Sequence, residues 1–397
     1  MRWIWTLVAV GIAARLVIAF TTDGVAFDLG NFQRVSDALE SGTLHVYGTV
    51  NFEEHQVRWP YPPAYFPLIW LTDQVSELTG LSFQSLIRLP AILADAGIAL
   101  LVQDYLRRIG AADGLRVLAT ALIMLTPSFA MVSGFQGQID AVAILPAVAA
   151  VYLWDLGIGG TRRALYAGIL IGVGAAVKTV PILLLLALLP RVRSPREAAI
   201  LVTSAVAVPL AMLAPFLVAD GDAVMTALRY KGIPGFGGIS LLVQLDAPSL
   251  LLLSEAVDYN AAFEWLLDHG RVVTMLGLGG LCALLLRARP PVVVAATLVW
   301  LTVFVFGVNL LLQYLVWGLP FLLMSGYVRW VLVLLAALVV PTVIAYLGPW
   351  ESSAVVSVYT SIMLAVWAAF VVALAVLGRR ALRLAAPTGE RPPAATR

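Results

Sequence analysis

Apolar residues along this chain come in long runs, and polar ones gather in a few places between them. The run at about residues 3–20 is long enough to cross a bilayer, which takes about 20 mainly apolar residues. Similar runs fall near 87–106, 115–133, 139–156, 164–178, 180–191, 197–218, 271–287, 291–311, 312–327, 330–347 and 354–377. Together they predict an all-α polytopic membrane protein of about twelve transmembrane helices. Two polar stretches interrupt the pattern, 21–86 and 219–268. With both on the outer face, the Arg clusters at 107–108, 162–163, 191–196, 287–289 and 379–383 all face the cytoplasm, where positive charge accumulates.

Within the first outer loop, Leu29, Phe32, Val35 and Leu39 recur at helical spacing. That predicts an amphipathic helix lying on the membrane surface. The stretch "RWPYPPAYFPLIW" follows, at residues 58–70, dense in prolines and aromatics. Residues 62–79 lose their hydrophobicity at Thr72, too soon for a span, so an interfacial or re-entrant helix is expected there. Pro62 and Pro63 can open it, because first-turn N–H groups need no partner. Trp59, Tyr61, Tyr65, Phe66 and Trp70 suit the headgroup level.

Composition fits this picture. Of 397 residues, 61% are hydrophobic and only 12% charged, which a soluble fold of this size could not accommodate. The formal net charge of +2 hides the asymmetry of the Arg clusters. Cys282 has no second cysteine to pair with, so no internal disulfide staples the chain. One Arg precedes the first run and no small-residue cleavage site follows it, so it reads as a retained span rather than a signal peptide. Residues 1–377 then form a single transmembrane domain in the plasma membrane, with both termini cytoplasmic. Residues 378–397 read as a disordered basic tail. There is no Walker GxxxxGK[ST], no strand-borne GxGxxG and no HExxH, which argues against nucleotide-powered or soluble-cofactor chemistry. No nucleic-acid partner is expected.

The candidates for chemistry concentrate on the outer side. Asp28 opens the amphipathic helix: it is either an N-cap or a general base for an acceptor hydroxyl, with Asp23 as a competitor. In "SGFQGQIDAV", Gln136, Gln138 and Asp140 alternate on a glycine-flexed turn. Asp140 could cap the next span, or the three could hold sugar hydroxyls or a metal. Asp95 and Lys178 fall inside apolar segments, where each needs a partner or a polar cavity. Lys178 could pair with an anionic ligand or snorkel to the surface. His55, Arg58, Arg88, Arg229 and Lys231 are outer cations that could either hold a phosphate or stay solvated. The glycine-rich "RYKGIPGFGGIS" could fold over a ligand or serve only as a connection. Asn309, Gln313 and Tyr314 sit at the outer junction of two spans, where an interfacial belt is the simpler reading.

In chain order these features are an acid after the first span, an amphipathic helix, "YPPAYF", "RLPAILADAG", "GQID", "GAAVKTVP" and "QYLVWGLPF". Over roughly residues 1–330 the order resembles the GT-C class of membrane glycosyltransferases that use polyprenyl-phosphate-linked sugars, in particular the bacterial relatives of the GPI mannosyltransferases. The resemblance implies two membrane-surface helices in the first outer loop, with Tyr61 and its neighbours roofing the site. It maps the family's first-loop acid onto Asp28 and its second-loop acid onto Asp140. Asp28 is followed by Leu29 and Gly30 rather than by a second acid. A divalent cation, Mg or Mn, is therefore left open, and no cofactor is assigned.

The implied reaction is inverting transfer of a sugar, mannose by the resemblance, from a polyprenyl phosphate to an acceptor hydroxyl on a lipid, glycan or protein. Asp28 would act as base, and Arg88, Arg229 and Lys231, with Lys178 behind them, would stabilise the leaving phosphate. Asp140 and Gln138 would orient a sugar. The rival reading is a secondary transporter or flippase, which would place polar groups near mid-membrane on broken helices; Asp95 and Lys178 are its only support. A non-catalytic scaffold explains neither outer loop.

Overall fold

The computed structural model describes residues 2–51, 57–253 and 258–385, and among these there are helices and turns but no strand. Helix α1 (Arg2–Thr21) leads into two surface helices, α2 (Ala26–Glu40) and, after a short α3 (Val46–Val50), α4 (Phe66–Thr79). Then follow α5 (Leu89–Arg108), α6 (Asp113–Leu125), α7 (Asp140–Asp155), α8 (Arg163–Val177), α9 (Pro195–Leu228) and α10 (Ala261–Ala288). The chain closes with α11 (Val292–Phe306), α12 (Leu315–Met324), α13 (Val328–Ala337), α14 (Val339–Leu347) and α15 (Ser353–Ala385).

Each expected apolar run falls on a helix or a broken helix, yet the count of twelve spans is not established by them. Among the described residues five helical stretches are long and apolar enough to cross a membrane: Arg2–Thr21, Phe83–Arg108, Pro195–Leu228, Ala261–Ala288 and Ser353–Arg383. Two bent pairs, Asp113–Leu125 with Pro127–Gln136 and Val328–Ala337 with Val339–Leu347, raise the number to seven. The first bend, of 44°, follows from Pro127, which cannot continue the hydrogen-bond ladder of α6. Val180–Arg191, Val292–Phe306 and Leu312–Met324 are apolar but shorter.

Several expected boundaries move. Helix α9 runs on to Leu228, into the stretch expected as the second outer loop, across a kink at Asp220, whose backbone is non-helical. Likewise α10 begins at Ala261, where Asn260 caps the Phe263 N–H at 2.9 Å. Helix α15 extends past 377 to Ala385, so the start of the expected tail is helical; residues 386–397 lie outside the described residues.

The first outer loop matches the periodicity. Helix α2 buries Leu29, Phe32 and Val35, and α4 starts behind Pro62–Pro63 and stops at Gly80, whose φ of 70° suits a residue without a side chain. The aromatics are placed differently from expectation. Trp59, Tyr65 and Phe66 do not sit exposed at headgroup level but are buried, and only Trp70 is largely exposed. They fill a small apolar core between the surface helices, Val177 at the end of α8, and Leu213 of α9. Their edge-on and tilted packing joins Phe32, Trp59, Tyr65 and Phe66 into one unit. A larger core joins α5, α7, α8, α11, α12 and α15.

Helices α5 and α7 start at the same end of the bundle and finish together at the other, where Tyr105 donates to Asp155 at 2.6 Å. Helix α8 returns antiparallel, from Arg163 to the residue before Lys178. Three helices thus connect an Arg-rich end to an end carrying Arg88, Asp140 and Lys178.

Candidate active site

Neither aspartate caps its helix. The residue before α2 is Val25 and the one before α7 is Ile139, and neither makes a side-chain cap. Asp28 lies in the first turn of α2 and Asp140 is the first residue of α7, and both carboxylates turn away from their own helices towards other segments. Asp28 Oδ2 accepts from Gln136 Nε2 at 3.0 Å, and Gln138 also bonds this carboxylate. The Gln136 carbonyl oxygen accepts from the Tyr346 hydroxyl at 2.7 Å, which fixes which end of the amide faces Asp28. Burial pushes the Asp28 carboxyl up from an ordinary 3.8 to about 6, and the two amides and nearby Lys178 offset only part of that rise.

Asp140 is fully buried, and its Oδ1 takes Lys178 Nζ at 2.8 Å together with the indole N–H of Trp317. Its Oδ2 is buried without a protein partner. Lys178 follows the last turn of α8 in extended conformation, which swings its side chain back to α7. The ammonium faces three rings at once: Tyr61 at 4.9 Å, Tyr314 at 5.1 Å and Trp317 at 5.2 Å. Tyr314 and Trp317 are themselves stacked at 4.0 Å. Tyr61 comes from the first outer loop and closes the cage from above. Its hydroxyl is held well above the usual tyrosine range by burial and then by Asp140 and Asp28.

The remaining expected residues separate into those at the site and those away from it. Arg88 is not a solvated outer cation. It is fully buried, and its Nη1 donates to the carbonyls of Ala19 and Thr22, both at 3.1 Å, and of Gly134 at 3.4 Å. Its side chain threads between Gly24 and Gly137: a Cβ at Gly24 would collide with Nη2, and one at Gly137 would stand 2.9 Å from Cγ. Arg88 therefore ties the turn ahead of Asp28 to the turn that carries Gln136 and Gln138. Arg58 lies over the Phe27 ring at 4.8 Å, beside Asp28 at the rim. Gln313 is buried next to Tyr314. Arg229 and Lys231 are exposed, and Lys231 pairs with Asp268 at 3.0 Å. The residue between them, Tyr230, faces Asp28 instead, and burial and that carboxylate push its hydroxyl up to about 12. His55 lies outside the described residues. Asp23 is exposed.

The transport reading loses its support here. Asp95 is buried against Arg15 at 3.2 Å, and Arg15 also donates to Ser133 at 2.9 Å, so the pair joins α1, α5 and the turn before Gln136. Lys178 is likewise paired, with Asp140. A divalent cation also fits poorly, because the groups around Asp28 and Asp140 are amides, phenols, an indole and an ammonium. Among the described residues the only three carboxylates close enough to share an ion are Glu40, Asp73 and Glu77, on the surface helices.

Trp317, Tyr230 and Tyr346 did not stand out in the sequence. Trp317 lies in "QYLVWGLPF" beside the expected Tyr314, four residues from Gln313, but reads there as an interfacial residue. Tyr346 gives no signal beyond being a hydroxyl near the end of an apolar run.

The helical bundle thus gathers two acids, a caged lysine and two amides beneath surface helices. The fold is shared with a solved structure, "Crystal Structure of ArnT from Cupriavidus metallidurans bound to Undecaprenyl phosphate", at a TM-score of 0.51 and 16% identity over 96% of this chain and 77% of that one. The apo state of the same protein aligns with a TM-score of 0.46 at the same identity and coverage. Residues 59–312, more than half of the chain, match glycosyltransferase family 87, and the protein belongs to that family. No curated protein matches it. The matched stretch contains Asp140 and Lys178, whereas Asp28, Tyr314, Trp317 and Tyr346 are brought to the site from outside it.

Proposed function

We propose that the protein transfers mannose, with inversion, from a polyprenyl-phosphate carrier to an acceptor hydroxyl on the extracytoplasmic face of the plasma membrane. The observation that carries this reading is the convergence of Asp28 with the Asp140–Lys178 pair beneath Tyr61. The undecaprenyl phosphate named for the ArnT structure supports the choice of carrier. The Arg clusters at the opposite end of the bundle support the orientation.

Asp28 takes the proton of the acceptor hydroxyl. The oxygen attacks the anomeric carbon, the bond from that carbon to the phosphate oxygen breaks, and polyprenyl phosphate leaves as a monoester with one more negative charge. A carboxyl near pH 6 suits the base, being mostly ionised at neutral pH while retaining affinity for a proton. Lys178, already desolvated by its ring cage, faces the leaving phosphate, and a cation fixed in place beforehand stabilises charge that grows only in the transition state. Asp140 orients the ammonium through Oδ1 and offers its unpartnered Oδ2 to a sugar hydroxyl. Arg88 holds the two loops in register through Nη1. Arg229 and Lys231 serve the rim.

The test is transfer from labelled polyprenyl-phosphate-mannose by the full-length protein in nanodiscs supplied with extracted envelope lipids and glycans. Asp28→Asn is expected to lower turnover by about 10²–10⁴-fold, the usual worth of a general base. Wild-type turnover in that variant removes the base assignment. Transfer from a glucose or arabinose carrier in preference to mannose removes the choice of sugar.

A further inference from the structure

The glycine-rich stretch "RYKGIPGFGGIS", residues 229–240, leaves the end of α9 and is pinned to other parts of the outer face. The Tyr230 N–H still closes a turn on the Ala227 carbonyl at 3.0 Å. From there, groups distant in the chain take hold of the backbone. Arg271 of α10 donates through Nη2 to the carbonyl of Arg229 at 2.6 Å and to that of Tyr230. Asn309, in the segment leading to Tyr314, donates through Nδ2 to the carbonyl of Lys231. The Lys231 ammonium itself meets Asp268 of α10 at 3.0 Å. Three successive carbonyls are thus held, and Gly232 then turns the chain at a φ of 79°, so close to Asn309 that a Cβ there would collide with Nδ2.

Polar points rather than packing fix this strap. Behind it lies a hollow of about 230 Å³, lined by Lys231, Gly232, Pro234, Gly270, Arg271 and Val308. With so little side-chain contact on that side, the place of the strap depends on its few hydrogen bonds. The side chain of Tyr230 does not line the hollow. It faces Asp28, and its charge also bears on Tyr61 and Tyr314. Its hydroxyl titrates at about 12 and keeps its proton at neutral pH. Among the described residues nothing takes a hydrogen bond from that hydroxyl. A phenol O–H thus stands beside the base, held by its backbone and free at its tip.

We propose that Tyr230 donates a hydrogen bond to the acceptor oxygen beside Asp28, and that Arg271 is the positioning residue that holds Tyr230 there. This rests on the transfer reading above and adds an acceptor-side residue to it. An acceptor hydroxyl gives its proton to Asp28 and needs one lone pair for the anomeric carbon. Its second lone pair remains to be placed, and a phenol O–H is a donor suited to it. With proton and lone pair both held, the oxygen cannot turn away from the carbon it attacks, and alignment of that kind lowers the barrier. The acceptor's proton ends on Asp28, while the tyrosine keeps its own. The acceptor is preferred to the donor phosphate as the partner because Asp28, not Lys178, is the ionised group that Tyr230 faces. Arg271 is exposed, so its bonds contribute little to stability and act on position instead.

The experiment uses the full-length protein in nanodiscs, with labelled polyprenyl-phosphate-mannose as donor and extracted envelope lipids and glycans, at varied concentration, as acceptor. Tyr230→Phe is expected to lower kcat/KM for the acceptor by about tenfold, the worth of one hydrogen bond, and to leave the donor KM within about twofold. Arg271→Ala should do the same without lowering the thermal midpoint, and Arg271→Lys, which still offers a donor, should recover part of the loss. The double variant Tyr230→Phe with Arg271→Ala should be no worse than either single one, because the second change removes nothing further. A readout without turnover is limited trypsin cleavage after Arg229 and Lys231, which Arg271→Ala should speed and Tyr230→Phe should not. Losses that add in the double variant overturn the proposal, as does a change confined to the donor KM or an unchanged cleavage rate. So does an acid limb that moves from about pH 6 in Tyr230→Phe, which would assign the hydroxyl to Asp28 itself. If Arg271→Ala opens the strap to trypsin but the wild type transfers no sugar, the clamp stands and the proposed reaction falls, with the part given to Tyr230 in it.

Discussion

The two ends of the bundle handle charge in opposite ways. At the Arg-rich end, Asp104 is met by Arg107 at 2.5 Å and Arg108 at 2.7 Å, and also by the Tyr152 hydroxyl at 2.5 Å. Both arginines are about half exposed, so water competes for every one of these bonds. Nearby, Arg163 pairs with Glu197 at 3.1 Å and Arg191 donates to the Pro290 carbonyl at 2.9 Å. At the other end the ionised groups are fewer, buried and incompletely satisfied. Asp140 has one oxygen without a protein partner, and Lys178 has one carboxylate and three rings. Exposed pairs with surplus partners contribute little to stability. Buried groups with unfilled valences are costly unless a ligand completes them. On that difference rests the proposal that the second end is the reactive one.

Removing a carboxylate at each end tests the contrast most directly. The largest expected effect is that of Asp28→Asn on turnover, described above. The next is Asp140→Asn, which leaves the Lys178 ammonium buried without its counter-charge. Breaking such a pair costs about 3–5 kcal/mol, read as a fall in thermal stability in detergent. Adding Lys178→Met should recover most of the stability but none of the activity. If the double variant regains turnover, the pair is structural only. Arg88→Lys keeps the charge but cannot span three carbonyls. An expected loss of about 1–3 kcal/mol should come with a shifted pH profile, because the turns bearing Asp28 and Gln136 drift apart; an unchanged profile would reduce Arg88 to a packing residue.

The pH dependence has opposite signs for stability and activity. Asp28 titrates near 6 in the fold against 3.8 ordinarily, so the folded state holds its proton more tightly. The resulting stabilisation is complete below about pH 3.8 and is lost as the pH rises through about 6. Activity needs the carboxylate, so kcat/KM should fall about tenfold per pH unit below about 6. Asp28→Asn should therefore unfold at a higher temperature than wild type at pH 8. A wild-type acid limb near pH 4 would contradict the buried setting of Asp28. Smallest of all, Asp104→Asn should shift stability by less than about 1 kcal/mol and leave turnover unchanged, since water and neighbouring groups replace what is lost.

Much of this was legible in the sequence. The order of apolar runs, the amphipathic spacing of Leu29, Phe32 and Val35, and the proline start of α4 are local signals, and local structure follows them. Asp28 and Asp140 stood out because charge is scarce in so apolar a chain. The pairing of Asp140 with Lys178 was not legible, since only the antiparallel return of α8 brings the two together. Arg88 was expected among the outer cations and is instead buried, with Nη1 on backbone carbonyls, which no side-chain pattern discloses. Trp59 and Tyr65 were assigned to the headgroup level because an aromatic near a span end looks the same whether it faces lipid or fills a core.

The bond from Tyr346 to Gln136 bears on how far the protein can be shortened. A fragment stopping at residue 312 would contain the whole recognisable family segment and still let the Gln136 amide turn over, presenting its oxygen to Asp28 in place of its nitrogen. With the site proposed above, the minimal competent unit is longer than the stretch by which the family is recognised, and truncation studies should begin from beyond α14.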